Sequence, residues 1–330
     1  GNNMNKYTKA GLTALAGSLV AVSAAQADWT LSGAGKMSYT MKNGVSDATE
    51  TGGRFGMDRS ITIGNTMEMD NGWTVSTGYT IDVASESNSN LKIDMGAMGA
   101  IEYNMVDGAL GISKIDDTLP TADEEVWNGF ASGIANGRVK HSGATGFNYS
   151  NTVSDMVTVN VGLVPQGSSN RSTGAVGQVS SETANSQASI ALTMTPMDGL
   201  TVYAGTGEGG AGTVGVGKND DLQVLAATYA YGPVSVGYSA TEIDSDTTSR
   251  QYDTTGMSIA YSISDNLSIS YGERTVDRGS SSTDEEQSGM SIGYSMGGMT
   301  IKAHANEIDS SDGVAGTDHE HTEIAVSFAF

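Results

Sequence analysis

HTEIAVSFAF, residues 321–330, closes the sequence with an apolar side chain at every second position: Ile324, Val326, Phe328 and Phe330. Glu323, Ala325, Ser327 and Ala329 fill the gaps, so the period is that of a β-strand with one greasy face. A chain end normally frays into polar sequence because few contacts hold it. Here the last residue belongs to the pattern. Such a strand suits the inside of a sandwich, or a wall whose apolar face meets lipid.

The other end of the chain favours lipid. Lys6 and Lys9 precede the uncharged stretch AGLTALAGSLVAVSAAQA, which ends on the small-residue triplet Ala25-Gln26-Ala27. A basic start, an apolar middle and an A-x-A site make a secretory signal. Its Gly and Ser content argues against a membrane anchor helix. Residues 1–27 are therefore expected to be upstream sequence and a cleaved signal peptide, with residues 28–330 forming the mature protein.

The 330 residues suffice for two ordinary domains or one large β-structure. Only 38% are apolar, mean hydropathy is -0.22, and no second segment has the apolar length of a membrane helix. Cysteine is absent, so an exported chain of this size has no disulfides to hold it. The four prolines fall outside the alternating runs: Pro120 and Pro165 in polar loops, Pro196 and Pro233 in tight turns.

Alternation fills the rest of the chain. Trp29, Leu31, Met37, Tyr39 and Met41 oppose Thr30, Ser32, Lys36, Ser38 and Lys42. Phe55, Met57, Ile61 and Ile63 continue the pattern, turn at Asp70-Asn71-Gly72, and return through Trp73, Val75, Tyr79 and Ile81. Leu91 to Met105 reads as one rising run that turns at Val106-Asp107-Gly108 into a short strand through Leu110 and Ile112. Further hairpins turn near Asp155, Asp198-Gly199, Gly232-Pro233, Asp265-Asn266 and Gly297-Gly298. About sixteen strands result, joined alternately by tight turns and longer polar loops. The expected fold is all-β: a transmembrane, antiparallel, up-and-down barrel with short periplasmic turns and long extracellular loops. An even count lets the first and last strands pair, which removes edges that hydrocarbon does not tolerate. The final strand then closes the barrel. Tyr39, Tyr79, Tyr103, Tyr149, Tyr231 and Tyr271 suit the aromatic girdles of such a wall.

The signal, the opening WTLSGAGKMSY, the early GRFGMDRSITIGN, the strand count and the terminal FAF together resemble the Gram-negative general porins, most closely their alphaproteobacterial branch. The resemblance covers the whole mature chain. It implies a homotrimer of water-filled channels in the outer membrane, each narrowed by a third extracellular loop that folds inward and sets acids against basic wall residues. It also implies that Ile324, Val326, Phe328 and Phe330 form the signal read by the barrel-assembly machinery. The Pro-Glu-Phe-Gly stretch of the enteric members is absent.

The residues themselves nominate the narrow zone. A loop at about 115–137 holds Asp116, Asp117, Asp123, Glu124 and Glu125 and no base, with Trp127 and Phe130 as apolar anchors. A Trp and a Phe are poorly placed on a solvated loop, which favours the inward position over an acidic surface loop. Lys36, Arg54, Lys92, Arg138 and Lys140 fall on the face opposite the lipid, where they would set a transverse field across the aperture or serve as scattered lumen charges. Arg59 breaks the alternation by pointing at lipid, where a charge at mid-depth costs about 2–4 kcal/mol. A bulge or a covered trimer face would relieve it.

The formal charge of -22 is expected to concentrate cations at the mouths and to prefer them in the channel. Acids in SDATE, TEIDSDTTS and SSSTDEEQ are alternatively solubility groups, or hold Ca2+ or other divalent ions that bridge lipopolysaccharide. No cofactor is expected. GTVGVGKN (212–219) lacks the Ser or Thr of a phosphate loop, and the acids and glycine of DSSDGVAGTDHE (309–320) fit no calcium hand. His304, His319 and His321 read as polar wall residues in preference to a metal or pH site. Nothing resembles a catalytic constellation, and the charge opposes nucleic acid. The sequence favours a general diffusion channel over a plugged surface barrel or a substrate-selective channel, because inward positions carry Ser, Thr, Gly, Lys and Asp.

Overall fold

The computed structural model describes residues 28–44, 52–83, 85–105, 109–130, 139, 141, 145–165, 186–209, 220–246, 248–281 and 283–330. Their strands are β1 (Asp28–Gly44), β2 (Gly52–Glu68), β3 (Thr74–Asp82), β4 (Ser85–Asp94), β5 (Ala100–Asn104), β6 (Gly146–Ser154), β7 (Val157–Val164) and β8 (Gln187–Met197). The second half adds β9 (Leu200–Gly209), β10 (Asp220–Tyr231), β11 (Val234–Asp244), β12 (Tyr252–Ser264), β13 (Leu267–Arg278), β14 (Glu285–Met296), β15 (Met299–Asp309) and β16 (His319–Ala329). Each pairs antiparallel with its sequence neighbours, and β1 pairs with β16, so the sheet is a closed barrel.

The closing seam runs from Gly44↔His319 to Ala34↔Ala329, and two further backbone bonds tie Gly33 to Phe330. Pairing through Phe330 joins the first and last strands along this seam, the closure that hydrocarbon requires. Alternation then sets the two faces. Phe55, Met57, Leu31, Leu225, Met290, Ile324 and Phe330 are exposed on the outside, while Ala191, Val224, Ser270, Ser291 and Ala325 are buried on the inside. A one-residue slip would exchange the two sets, so the apolar pattern fixes the register.

The rims are unequal. At one rim the hairpins turn at Gly72, Gly199, Gly232 and Gly297, all with positive φ, where a Cβ would be strained. At the other rim the connections are longer, except between β3 and β4, where only Val83 and position 84 intervene. That low sector of wall holds Arg59. The β1–β2 ladder is regular past Gly35↔Arg59, so no bulge relieves it and its side chain stays on the outer face. β3 stops at Asp82, opposite Ser60, which places Arg59 just beyond the last β2–β3 pair.

Four readings of the sequence change. Leu91 to Met105 is not one run: a 3₁₀ turn at Gly96–Met98 divides β4 from β5, with Gly96 and Gly99 at positive φ, a turn lacking the Asn-Gly or Asp-Gly signal. Val106-Asp107-Gly108 lies outside the described residues. The segment through Leu110 and Ile112 is not a strand but leads into a 3₁₀ turn at Gly111–Lys114, so the connection from β5 runs over 105–145, longer than the expected 115–137. Pro196 lies inside β8, at the register shift between Met194 and Met197, where a missing N–H is tolerated. Glu285 is no loop acid: it starts β14, buried, with Oε2 2.7 Å from Arg278.

Candidate functional site: an inward loop and its charges

The connection between β5 and β6 enters the barrel because its own apolar residues need cover. Leu110, Ile112 and Ile115 are buried, and the two isoleucines join Val139 and inward-facing Ala191, Leu222, Val224, Ile243, Tyr252 and Val276 in one cluster. β8 and β10 to β13 thus carry apolar residues on both faces, one set for lipid and one for the loop. At roughly 25 cal/mol per Å² of apolar surface, this cover favours the inward position of the loop.

Backbone groups in the turn find wall partners. Gly111 donates to Asn148 Oδ1 and Ile112 to Ser189 Oγ, each at 2.9 Å. His141, near the end of the loop, lies with Nε2 2.7 Å from Ser189 Oγ and Nδ1 3.2 Å from Gln187 Oε1. Burial lowers its pKa, against bonds from Gln187 and the Glu208 backbone that would raise it.

The tip crosses to β12–β16. Ser258 Oγ donates to the Pro120 carbonyl at 2.8 Å, and Ser270 Oγ accepts from Ala122 N at 2.9 Å. Asn306 Nδ2 donates to the carbonyls of Glu125 and Asn128. Asp123, whose side chain is 8% exposed, carries the electrostatic anchor: Oδ1 lies 3.2 Å from Lys302 Nζ and Oδ2 2.8 Å from His304 Nδ1. Burial opposes its charge, but bonds from His304 and Lys302 outweigh that and hold the carboxyl below the ordinary aspartate value. Trp127 is buried under the guanidinium of Arg274, 4.7 Å from its ring. Phe130 meets His321 edge-on, ring centroids 6.2 Å apart.

The remaining nominated acids stay on the same loop. Glu124 accepts from Asn128 Nδ2 at 3.2 Å; burial, reinforced by Glu125 and Asp123, raises its pKa. Asp116 lines a small cavity with Trp127 and Arg274, and Asp117 is exposed. Of the nominated bases, Lys36 pairs with Glu323 at 2.6 Å and also feels Asp123 and Glu124. Arg54 stands opposite Thr40 on the inward parity of β2, and Lys92 lies 3.5 Å from Asp94. Arg138 and Lys140 lie outside the described residues, as does 212–219.

Lys302 was not among the nominated bases, nor were Arg274 and Arg278. All three were visible as inward charges, since Lys302 alternates with Ile301 and Ala303, and Arg274 and Arg278 share the parity opposite Tyr271. The missing signal was which wall the loop would reach. His304 and His321 come together, Nε2 to Nδ1 at 3.1 Å, while His319 stands one inward position further along β16. Among the described residues no group of three or more His, Cys, Asp or Glu side chains is arranged to hold a metal.

A closed wall with a lipid-compatible outside, lined within by a charged loop, defines a transmembrane β-barrel of the channel class. The chain belongs to the Gram-negative porin family, whose model matches residues 11–313. The barrel resembles a porin structure refined at 1.8 Å, with 16% identity and TM-score 0.63. It also resembles the anion-selective porin from Comamonas acidovorans (11%, 0.68) and a triple mutant of Rhodopseudomonas blastica porin (14%, 0.64). Each comparison covers 92% of this chain and 100% of the other. No curated protein matches the sequence. Membership makes the protein an outer-membrane channel, in a family of non-enzymatic channels.

Proposed function

We propose that this channel is a general diffusion porin for small hydrophilic solutes and prefers cations. The observation that carries the reading is the loop seated inside the barrel by Asp123, with Glu124 and Glu125 beside it and Lys36 within electrostatic reach. Acids held at a narrow zone favour cation entry. The formal charge of -22 reinforces this at the mouths, and loss of residues 1–27 with Lys6 and Lys9 deepens it by two. One structural neighbour is described as anion-selective, so the fold itself does not set the sign.

The mature protein begins at Asp28 after signal cleavage and assembles as a homotrimer, the outward Arg59 in the low β3–β4 sector being better covered by a second copy than by lipid. The C-terminal strand through Ile324, Val326, Phe328 and Phe330 is the assembly machinery's recognition element. Acidic outer loops and divalent ions contact lipopolysaccharide. The test is the reversal potential of the purified protein in a planar bilayer under a potassium chloride gradient. Cation-selective reversal in steps linked in threes supports the reading, and anion-selective reversal rejects it.

A further inference from the structure

We propose that His304 and His321 form an acid-sensitive latch that limits how long the tip of the inward loop stays seated. Proton counting carries the argument. Asp123, ionised at neutral pH, can only accept, so His304 Nδ1 must donate to it across 2.8 Å. His304 Nε2 faces His321 Nδ1 at 3.1 Å, with the two rings inclined by only 27°. Two nitrogens at that separation share one proton. With both imidazoles neutral, His321 donates to His304. One added proton is held by the pair as a whole, which still donates to Asp123 and keeps one proton between the two rings. Both states keep every bond of the chain.

A second added proton leaves two N–H groups pointing at each other, and the contact must open. The surroundings give both signs of charge: Lys302 on β15, Lys42 and Lys36 on β1, Glu323 on β16, and Asp123, Glu124 and Glu125 on the loop. Glu323 is already bonded to Lys36 and to Thr40 Oγ1, while Asp123 is shared between Lys302 and His304. His321 is also wedged against the loop. Gly129 has φ +91, and a Cβ there would overlap the imidazole ring, while Phe130 lies edge-on to it. Rotation of His321 away from His304 therefore displaces Gly129 and Phe130, and the tip moves with them.

The inference rests on the channel reading, and two measurements keep the two apart. Single-channel records of wild type and His321→Asn are taken from about pH 8 to about pH 3, because like charge on the adjacent ring holds off the second proton. Hydrogen exchange of loop residues 121–130 is followed in detergent over the same range. In wild type, closures or conductance changes and loop exchange should rise together, at least severalfold, toward acid. In His321→Asn, and in His304→Asn as a second variant, that acid step should vanish, leaving only carboxylate titration. A wild-type acid step retained in both variants would overturn the latch. Absence of conductance at every pH would instead reject the channel, while the exchange profiles would still decide the latch.

Discussion

Phe330 and Gly33 exchange two backbone hydrogen bonds, Phe330 N to the Gly33 carbonyl at 2.8 Å and Gly33 N to the Phe330 carbonyl at 3.1 Å. The last residue of the chain thus sits in the ladder that closes the wall, with Phe330 84% exposed. Each backbone group left unpaired at a lipid-facing edge costs several kcal/mol.

Deletion of Phe330 should therefore lower the yield of closed barrel more than Phe330→Leu, which keeps both bonds. The ratio of heat-modifiable folded band to unfolded band on unheated gels measures this. Equal yields for the two variants would contradict a closing role.

The anchor at Asp123 makes a second prediction. Asp123→Asn weakens the bonds to Lys302 and His304, and hydrogen bonds to charged groups contribute about 1.5–3 kcal/mol. The loop should fluctuate, seen as higher open-channel noise with the barrel's thermal stability nearly unchanged, because the strands keep their ladders. Lys302→Met should act in the same direction more weakly, since its side chain is 41% exposed.

The raised pKa of Glu124 predicts a loss of cation preference in acid. Protons are taken up at a pH above the ordinary glutamate value, so selectivity falls as pH drops through that raised value, and Glu124→Gln flattens this part of the profile. The stability signs oppose. Glu124's contribution is present below its unfolded pKa and lost as pH rises through the raised folded value. Asp123 stabilises above its unfolded pKa, and that contribution is lost as pH falls through its lowered folded value. Reversal potentials and loop exchange against pH separate the two.

Gly162 on β7 touches the loop backbone: a Cβ there would lie 2.7 Å from Gly111 N. Gly162→Val should unseat the 3₁₀ turn at Gly111–Lys114 and expose Ile112, which is 0% exposed. Faster proteolysis within the loop, with strand content by circular dichroism unchanged, is the expected result.

The wall was legible because lipid enforces a strict two-residue period, and each strand shows it independently. Ile324 to Phe330 needed no tertiary information. The turn at Gly96–Met98 was missed because its glycines stand apart, without an Asn-Gly or Asp-Gly pair. The loop's acids were found by composition, but its seat was not. Leu222, Val224, Ile243 and Val276 face inward, where a pore wall is expected to be polar, and only the presence of Ile112 and Ile115 above them explains their type. Likewise, Lys302 and His304 gain meaning from Asp123, more than 170 residues earlier in the chain. Pairings at such distance leave no periodic trace in either segment.

On the proposed function the barrel is a water-filled passage, narrowed by the loop that Asp123 anchors. Swelling of proteoliposomes in neutral sugars of increasing size tests it most directly, because uncharged solutes need an open path. The account predicts fast swelling with the smallest sugars and a steep decline with size, with the larger sugars admitted faster through Asp123→Asn. Folded, inserted protein that admits none of them, in wild type and variant alike, would contradict it and mark the barrel as plugged.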